Sequence, residues 1–273
     1  MTLIVSWVAM DNKKGRLEPS SIYIASDSRI SWSNSRFNYG RKILGCKNHP
    51  DIFGYCGDVL FPLMILSQII EVIDAGLLYT KINSNGDKFN IILKQLTDSI
   101  EKYPTNFKDI ISDSIDIIHA SRDINGTFEC CVYKWNREVN TWKMEILQIP
   151  EQSGLLYASG SGCKEFESNF RRFQKGDSAG TSRNIFQCLC DTLINIKDKY
   201  CGGSPQLISL YRKNNSVSLG VIYNNRRFLN GYEVSDVGAL NNIGWRNQLF
   251  EICDGETMSI KDNSQRQPNP LLK

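Results

Sequence analysis

The sequence predicts an α+β protein in which packed antiparallel sheets carry helical outer layers. Two observations predict it. Strand and helix patterns arrive in runs (a β block, two helices, a second β block, two more helices, then β again) and do not alternate as βαβ units. The length of 273 residues and the apolar share of 41% suffice for one large domain with its own core.

The elements follow in order. Thr2 to Met10 is β-branched and apolar-rich with no helix cap before it, so the chain opens on a strand. Asp11 to Ser20, with Gly15 and Pro19, reads as a polar loop. Ser21 to Ala25 is a second strand, and it exits into Asp27-Ser28-Arg29. Short strands follow at Lys42 to Cys46 and Ile52 to Cys56. Asp58 is a helix N-cap, Pro62 suits a first turn, and Leu60, Leu63, Met64, Ile69, Ile70 and Ile73 form an apolar face ended by Gly76. A second helix is expected from Lys88 to Tyr103, before Pro104. Ile115 to Ala120, Thr127 to Trp135 and Thr141 to Ile149 read as consecutive strands, turning at Asn125-Gly126 and near Asn136. Gly154 to Ala158 is one more. Helices are expected over Cys163 to Phe173 and Ser182 to Tyr200, the latter from the spacing of Ile185, Cys188, Leu189, Leu193 and Ile196. Strands at Gln206 to Tyr211 and Val217 to Tyr223 complete the core. The expected domain is 1–235, followed by a C-terminal extension, 236–273, with a polar, mobile tail.

Composition excludes several functions. Lys and Arg number 32 against 29 Asp and Glu, with no basic block, so no nucleic-acid partner is expected. Nine cysteines without a CxxC pair argue against disulfide frameworks and zinc ribbons. No basic leader precedes the first apolar run, and the longest apolar stretch, Val59 to Ile73, contains Ser67, Gln68 and Glu71. A cytoplasmic protein without a membrane partner is therefore expected. Only two histidines, His49 and His119, are present, so an enzyme here needs a proton acceptor other than imidazole. Cys56 and Cys201 are read as small packing groups rather than nucleophiles, since neither is N-terminal.

Four segments carry chemistry. Removal of Met1, which the small second residue permits, gives Thr2 both a hydroxyl nucleophile and a free amine with an ordinary pKa of about 8. Ala25-Ser26-Asp27-Ser28-Arg29 places a carboxylate and a guanidinium at a strand exit. Gly40-Arg41-Lys42-Ile43 supplies a lysine that lowers a nucleophile's pKa, with Asp27 to hold it. Phe53-Gly54-Tyr55-Cys56-Gly57-Asp58 runs from a strand into a helix, where the Gly57 N–H suits an oxyanion. Each segment alone is also compatible with a common chain start, surface charges or a plain turn.

In this order the segments resemble the proteasome β-subunit superfamily of N-terminal-nucleophile (Ntn) hydrolases, most of all its bacterial HslV and Anbu types. Ser159-Gly160-Ser161-Gly162 and Asp198-Lys199-Tyr200-Cys201-Gly202-Gly203 add two of that family's motifs, so the likeness spans about Thr2 to Tyr223. The resemblance implies a four-layer αββα sandwich with two antiparallel sheets between helical layers. It implies a threonine-type peptidase with Thr2 as nucleophile, Lys42 as its activator, Asp27 orienting Lys42, and Arg29 supporting. Gly57 would donate to the oxyanion, and Ser161 and Asp198 would surround Thr2. Cys201 departs from the family's usual serine and is a poorer donor. By the same analogy Ile30, Tyr55 and Val59 approach a shallow apolar substrate pocket. No metal and no organic cofactor is implied. The implied partners are a peptide or unfolded-protein substrate, further copies in a homo-oligomeric ring, and an ATP-dependent unfoldase. Two alternatives stand beside this reading: a small-molecule amidase on the same fold, and a non-catalytic structural subunit.

Overall fold

The structure, a computed structural model, describes residues 2–32, 35–79, 84–106, 111–235, 237–262 and 264. Met1, and with it the expected removal of Met1, lies outside the described residues, as does the tail 265–273.

Strands β1 (Ile4–Lys13) and β2 (Arg16–Ser26) form a long hairpin. The loop expected over Asp11 to Ser20 is replaced by ladder, with Met10 opposite Pro19 and Lys13 opposite Arg16. Lys14 and Gly15 take φ of 52° and 84°, the paired positive values of a turn whose twist matches the flanking strands. Pro19 falls at the register shift after Ala9, where a missing N–H is tolerated. A small hairpin of β3 (Ile30–Trp32) and β4 (Ser35–Phe37) follows, then β5 (Ile43–Gly45) and β6 (Asp51–Cys56).

Helix α1 (Leu60–Asp74) starts where Asp58 Oδ1 accepts from the Phe61 N–H at 3.0 Å, and its other carboxylate oxygen takes the Ser112 N–H at 3.2 Å. Helix α2 (Asn85–Ile100) begins three residues before the expected start and is capped by Ser84. Strands β7 (Ser114–Arg122), β8 (Phe128–Asn136) and β9 (Thr141–Leu147) form a meander, and β10 (Gly154–Ser159) returns to β1. Helix α3 (Cys163–Phe173) spans the expected residues. Helix α4 (Ser182–Asn195) stops five residues early. Glu165 of α3 causes the stop: its carboxylate accepts the Lys197 and Asp198 N–H groups at 3.0 and 3.1 Å, withdrawing them from the helix. Asp198 therefore sits in a loop.

The chain ends in β11 (Gln206–Tyr211), β12 (Ser216–Tyr223), β13 (Arg226–Leu229), β14 (Tyr232–Glu233), β15 (Trp245–Asn247) and β16 (Ile252–Cys253). The extension beyond 235 is joined to the body of the fold. β15 pairs parallel to β12, and Leu240, Trp245 and Cys253 are buried with Ile222 in a small core of their own.

Among the described residues there are three sheets: one of nine strands running β10-β1-β2-β11-β12-β13-β14 with β15 and β16 attached, one of five running β5-β6-β7-β8-β9, and the β3-β4 pair. The expected four-layer αββα sandwich is thereby corrected. Among the described residues the protein is mostly β, 37% strand against 24% helix, with four helices and three sheets. The physical reason lies in the short strands β3, β4 and β13 to β16. They are too brief for periodicity to reveal, they lengthen one sheet and add another, and the small core around Trp245 has no α-helix, only the 3-10 turn at Leu240.

The packing that positions the site is simple. Ile4, Ile24 and Ile208 of the nine-stranded sheet meet Ile43, Ile52 and Ile118 of the five-stranded sheet. Leu3, Val5 and Trp7, on the other side of β1, meet Phe166, Phe186 and Leu189 of α3 and α4. Alternation along β1 thus fixes both faces of the chain start within two aliphatic cores.

Candidate active site

Thr2 lies one residue ahead of Leu3 and two ahead of β1, and the chain around it is held from several sides. Its carbonyl accepts from the Gly162 N–H at 3.2 Å, and its own N–H reaches Ser161 Oγ at 3.3 Å. Gly160, at φ 98°, makes this wrap feasible, since a Cβ there would stand 2.1 Å from the Thr2 carbonyl oxygen.

Lys42 just precedes β5 and is fully buried, although its side chain is long and charged. Lys42 Nζ donates to Thr2 Oγ1 at 2.9 Å and to Asp27 Oδ1 at 2.7 Å. A lysine so placed is stable only with a carboxylate partner, and Asp27 is also fully buried. The remaining capacity of Asp27 is filled by backbone: Leu3 N–H at 3.1 Å on Oδ1, and Arg29 N–H at 3.1 Å and Gly202 N–H at 3.0 Å on Oδ2. The carboxylate therefore has one orientation, and Lys42 inherits it.

Arg29 points away from the nucleophile. Its guanidinium bonds the Cys201 carbonyl at 2.7 Å, the Lys199 carbonyl at 3.3 Å and Asn38 Oδ1 at 2.8 Å, clamping the 199–202 loop that supplies the Gly202 N–H. In that loop the Cys201 thiol donates to Asp198 Oδ2 at 3.3 Å and lies 3.4 Å from Ser161 Oγ. Burial, with the nearby Asp27 charge, pushes the Cys201 thiol up to about 12, so it stays protonated and is no nucleophile at neutral pH. Cys56 is likewise pushed up to about 12 by burial. Burial raises the Asp198 carboxyl, yet hydrogen bonds from Ser161, the Tyr200 N–H and Cys201 outweigh it and hold it below its usual value.

Thr2, Asp27, Lys42, Ser161, Asp198, Arg29 and Cys201 thus join one hydrogen-bonded network. Gly57 has no bond to them. It lies at the end of β6, two residues past Tyr55, whose N–H meets the Lys42 carbonyl at 3.1 Å. Its φ of 95° requires glycine, because a Cβ would stand 2.1 Å from the Ser114 carbonyl oxygen. The expected pocket residues fare differently. Ile30 is half-buried against Gly40, and Val59 is half-buried at the start of α1. Tyr55 is fully buried against α1 and α2, with its hydroxyl on the Arg41 carbonyl at 2.6 Å, so it offers no accessible surface to a substrate.

Sequence reasoning missed two groups. Gln206, fully buried, donates to the Asp27 carbonyl at 3.0 Å and the Gly40 carbonyl at 2.8 Å, and accepts the Lys42 N–H at 3.1 Å. One amide thereby ties the Asp27 and Lys42 backbones together. The other group is Asp116, across the ladder from Cys56, whose Oδ2 accepts from Tyr157 at 2.8 Å and Ser159 at 2.5 Å. Neither a glutamine at a strand start nor an aspartate inside a strand carries a motif that would have singled it out.

Among the described residues no group of three or more His, Cys, Asp or Glu is placed to hold a metal ion, and no helix is long and apolar enough to cross a membrane. The nine cysteines are free thiols. Compared with known protein-family models the chain matches none, and compared with curated proteins it finds no match.

Proposed function

We propose that the chain is a threonine-type amidohydrolase that cleaves peptide bonds once Met1 is removed. One observation carries the reading: a buried hydroxyl at position 2 sits 2.9 Å from a buried lysine that is itself 2.7 Å from a buried carboxylate. A charged pair of this kind is a poor means of stabilising a fold, since apolar residues of similar volume serve as well or better. A hydroxyl at its apex is the arrangement that nucleophilic catalysis needs.

The steps balance as follows. Thr2 Oγ attacks the substrate's amide carbon, and its proton passes to the free Thr2 amine, through a water. The ammonium of Lys42 lowers the energy of the attacking oxygen. The tetrahedral oxyanion takes the Gly57 N–H. The C–N bond then breaks, and the leaving amine collects the proton from the Thr2 ammonium. A water, deprotonated by the same amine, attacks the ester and restores the Thr2 hydroxyl. Ser161, 3.3 Å from the Thr2 nitrogen, and Asp198 behind it keep that amine oriented.

On this reading, assembly into a homo-oligomeric ring, an unfoldase partner and a cytoplasmic setting follow from the resemblance to proteasome β-type Ntn hydrolases, and the nine free thiols support a reducing compartment. Hydrolysis of a panel of fluorogenic peptides tests the proposal. The Met1-free protein is expected to cleave at least one, with kcat/KM falling at least about a thousandfold in Thr2→Ala. Cleavage unchanged in that variant contradicts it. Hydrolysis of small amides without any peptide cleavage points to the small-molecule amidase. Absence of both in a chain that keeps Met1 points to the structural subunit.

A further inference from the structure

A second concave site lies midway along the β1-β2 hairpin, its Ser21 about 20 Å along the strand from Asp27. It encloses about 630 Å³, within the range of small-molecule pockets. Four cations border it: Arg183 in the first turn of α4, Arg212 and Lys213 after β11, and Arg246 on β15. Phe250, a buried core residue, underlies the site, with the Arg246 guanidinium 5.7 Å from its ring.

The charges there are poorly balanced. The lining carries four cations and one carboxylate, Asp11, with Glu251 behind Arg183. Asp11, itself well exposed, is 3.8 Å from Arg212, and Glu251, buried, is held by Asn247 Nδ2 at 2.7 Å and attracts Arg183. Glu18, across the hairpin from Asp11, is already paired with Lys13 at 3.1 Å. Arg183 also sits at the positive end of the α4 dipole, where folding favours an anion over a cation. Burial first, and then repulsion from Arg246, lower its pKa. A lining with this excess of positive charge is complementary to a ligand of opposite sign.

We infer that this pocket binds a phosphorylated small molecule bearing two or more phosphoryl groups, with Arg183, Arg246 and Lys213 gripping the phosphates. Guanidinium forks match phosphate oxygens in pairs, which a single lysine cannot do. The site shares no residue with the Thr2 network, so the inference stands apart from the proposed reaction.

Calorimetric titration of the full chain with inorganic tripolyphosphate tests it, with ATP as the second probe. One saturable site is expected, weakening as salt rises and at least about tenfold weaker in an Arg183→Gln, Arg246→Gln double variant. Equal affinity for the two probes means that the phosphate chain alone is recognised, and tighter binding of ATP means that the nucleoside adds contacts of its own. If the double variant fails to fold by circular dichroism, Lys213→Gln, on a surface loop, is expected to weaken binding several-fold instead. No saturable heat with either probe up to about 10 mM, or affinity unchanged in the folded variants, overturns the inference.

Discussion

At the scale of residues, the site depends on groups that do not react. The Asp27 carboxylate accepts four hydrogen bonds, three of them from backbone, and this is why Lys42 has a single place to stand. Gln206 adds the other constraint, bridging Asp27 and Lys42 through their main chains. Gln206→Leu leaves the Lys42 N–H and the Gly40 carbonyl without that partner, while the Asp27 carbonyl keeps only Ser26 Oγ at 3.0 Å, and so frees Lys42 to shift. On the proposed reaction, kcat falls by up to about a hundredfold while KM changes little, because a misplacement near 1 Å suffices for such a loss. Steady-state kinetics on one peptide substrate check this, and an unchanged kcat would show that Gln206 positions nothing. Thr2, Asp27 and Lys42 were legible in the sequence because each belongs to a short motif at a strand start or exit. Gln206 was not, since its role arises from a distant strand brought alongside. Tyr55 misled for a related reason: the family resemblance put it at a pocket wall, but strand alternation turns its ring into the helical core.

At the scale of elements, a second buried polar cluster anchors α2 to the five-stranded sheet. Lys88 of α2 donates to Ser121 at 2.8 Å and to the Arg122 carbonyl at 3.1 Å, and lies 3.3 Å from Asp51. The other oxygen of Asp51 meets His119 at 2.8 Å, and His119 meets the Tyr133 hydroxyl at 3.1 Å. This cluster gives the unassigned His119 a structural role. Asp51→Ala leaves Lys88 buried without its carboxylate and is expected to cost about 3–5 kcal/mol, read as a lower urea midpoint. A loss under about 1 kcal/mol would mean that water or rearrangement compensates. The boundaries that sequence missed also belong here. The Asp11–Ser20 segment is polar enough to read as a loop, yet two residues with positive φ are all its hairpin turn needs. The α4 periodicity runs to Ile196, but Glu165, a residue of another helix, ends the helix sooner.

At the scale of the whole molecule, stability depends on pH through these buried groups. Burial lowers the His119 pKa, against the pull of Asp51, so the folded state keeps the ring neutral below its ordinary value of about 6.5. Below that pH the unfolded chain binds a proton that the folded chain does not. The contribution is complete above about 6.5 and is lost as pH falls toward the folded value. Urea midpoints are therefore expected to fall from about pH 7 to about pH 5, and less so in His119→Gln. A midpoint that rises over this range contradicts the assignment. The large-scale plan was only partly legible. The long strands and the four α-helices among the described residues announce themselves by pattern, whereas β15 and β16 hold together through Trp245 and its neighbours, which no period in the sequence reveals.

The central claim is that Thr2, freed of Met1, is the nucleophile. Intact mass before and after treatment with an epoxyketone directed at N-terminal threonine tests it most directly. The account predicts a chain lighter by one methionine residue that gains a single reagent increment on Thr2, and no increment in Thr2→Ala. A chain that retains Met1, or an increment that persists in Thr2→Ala, would contradict it.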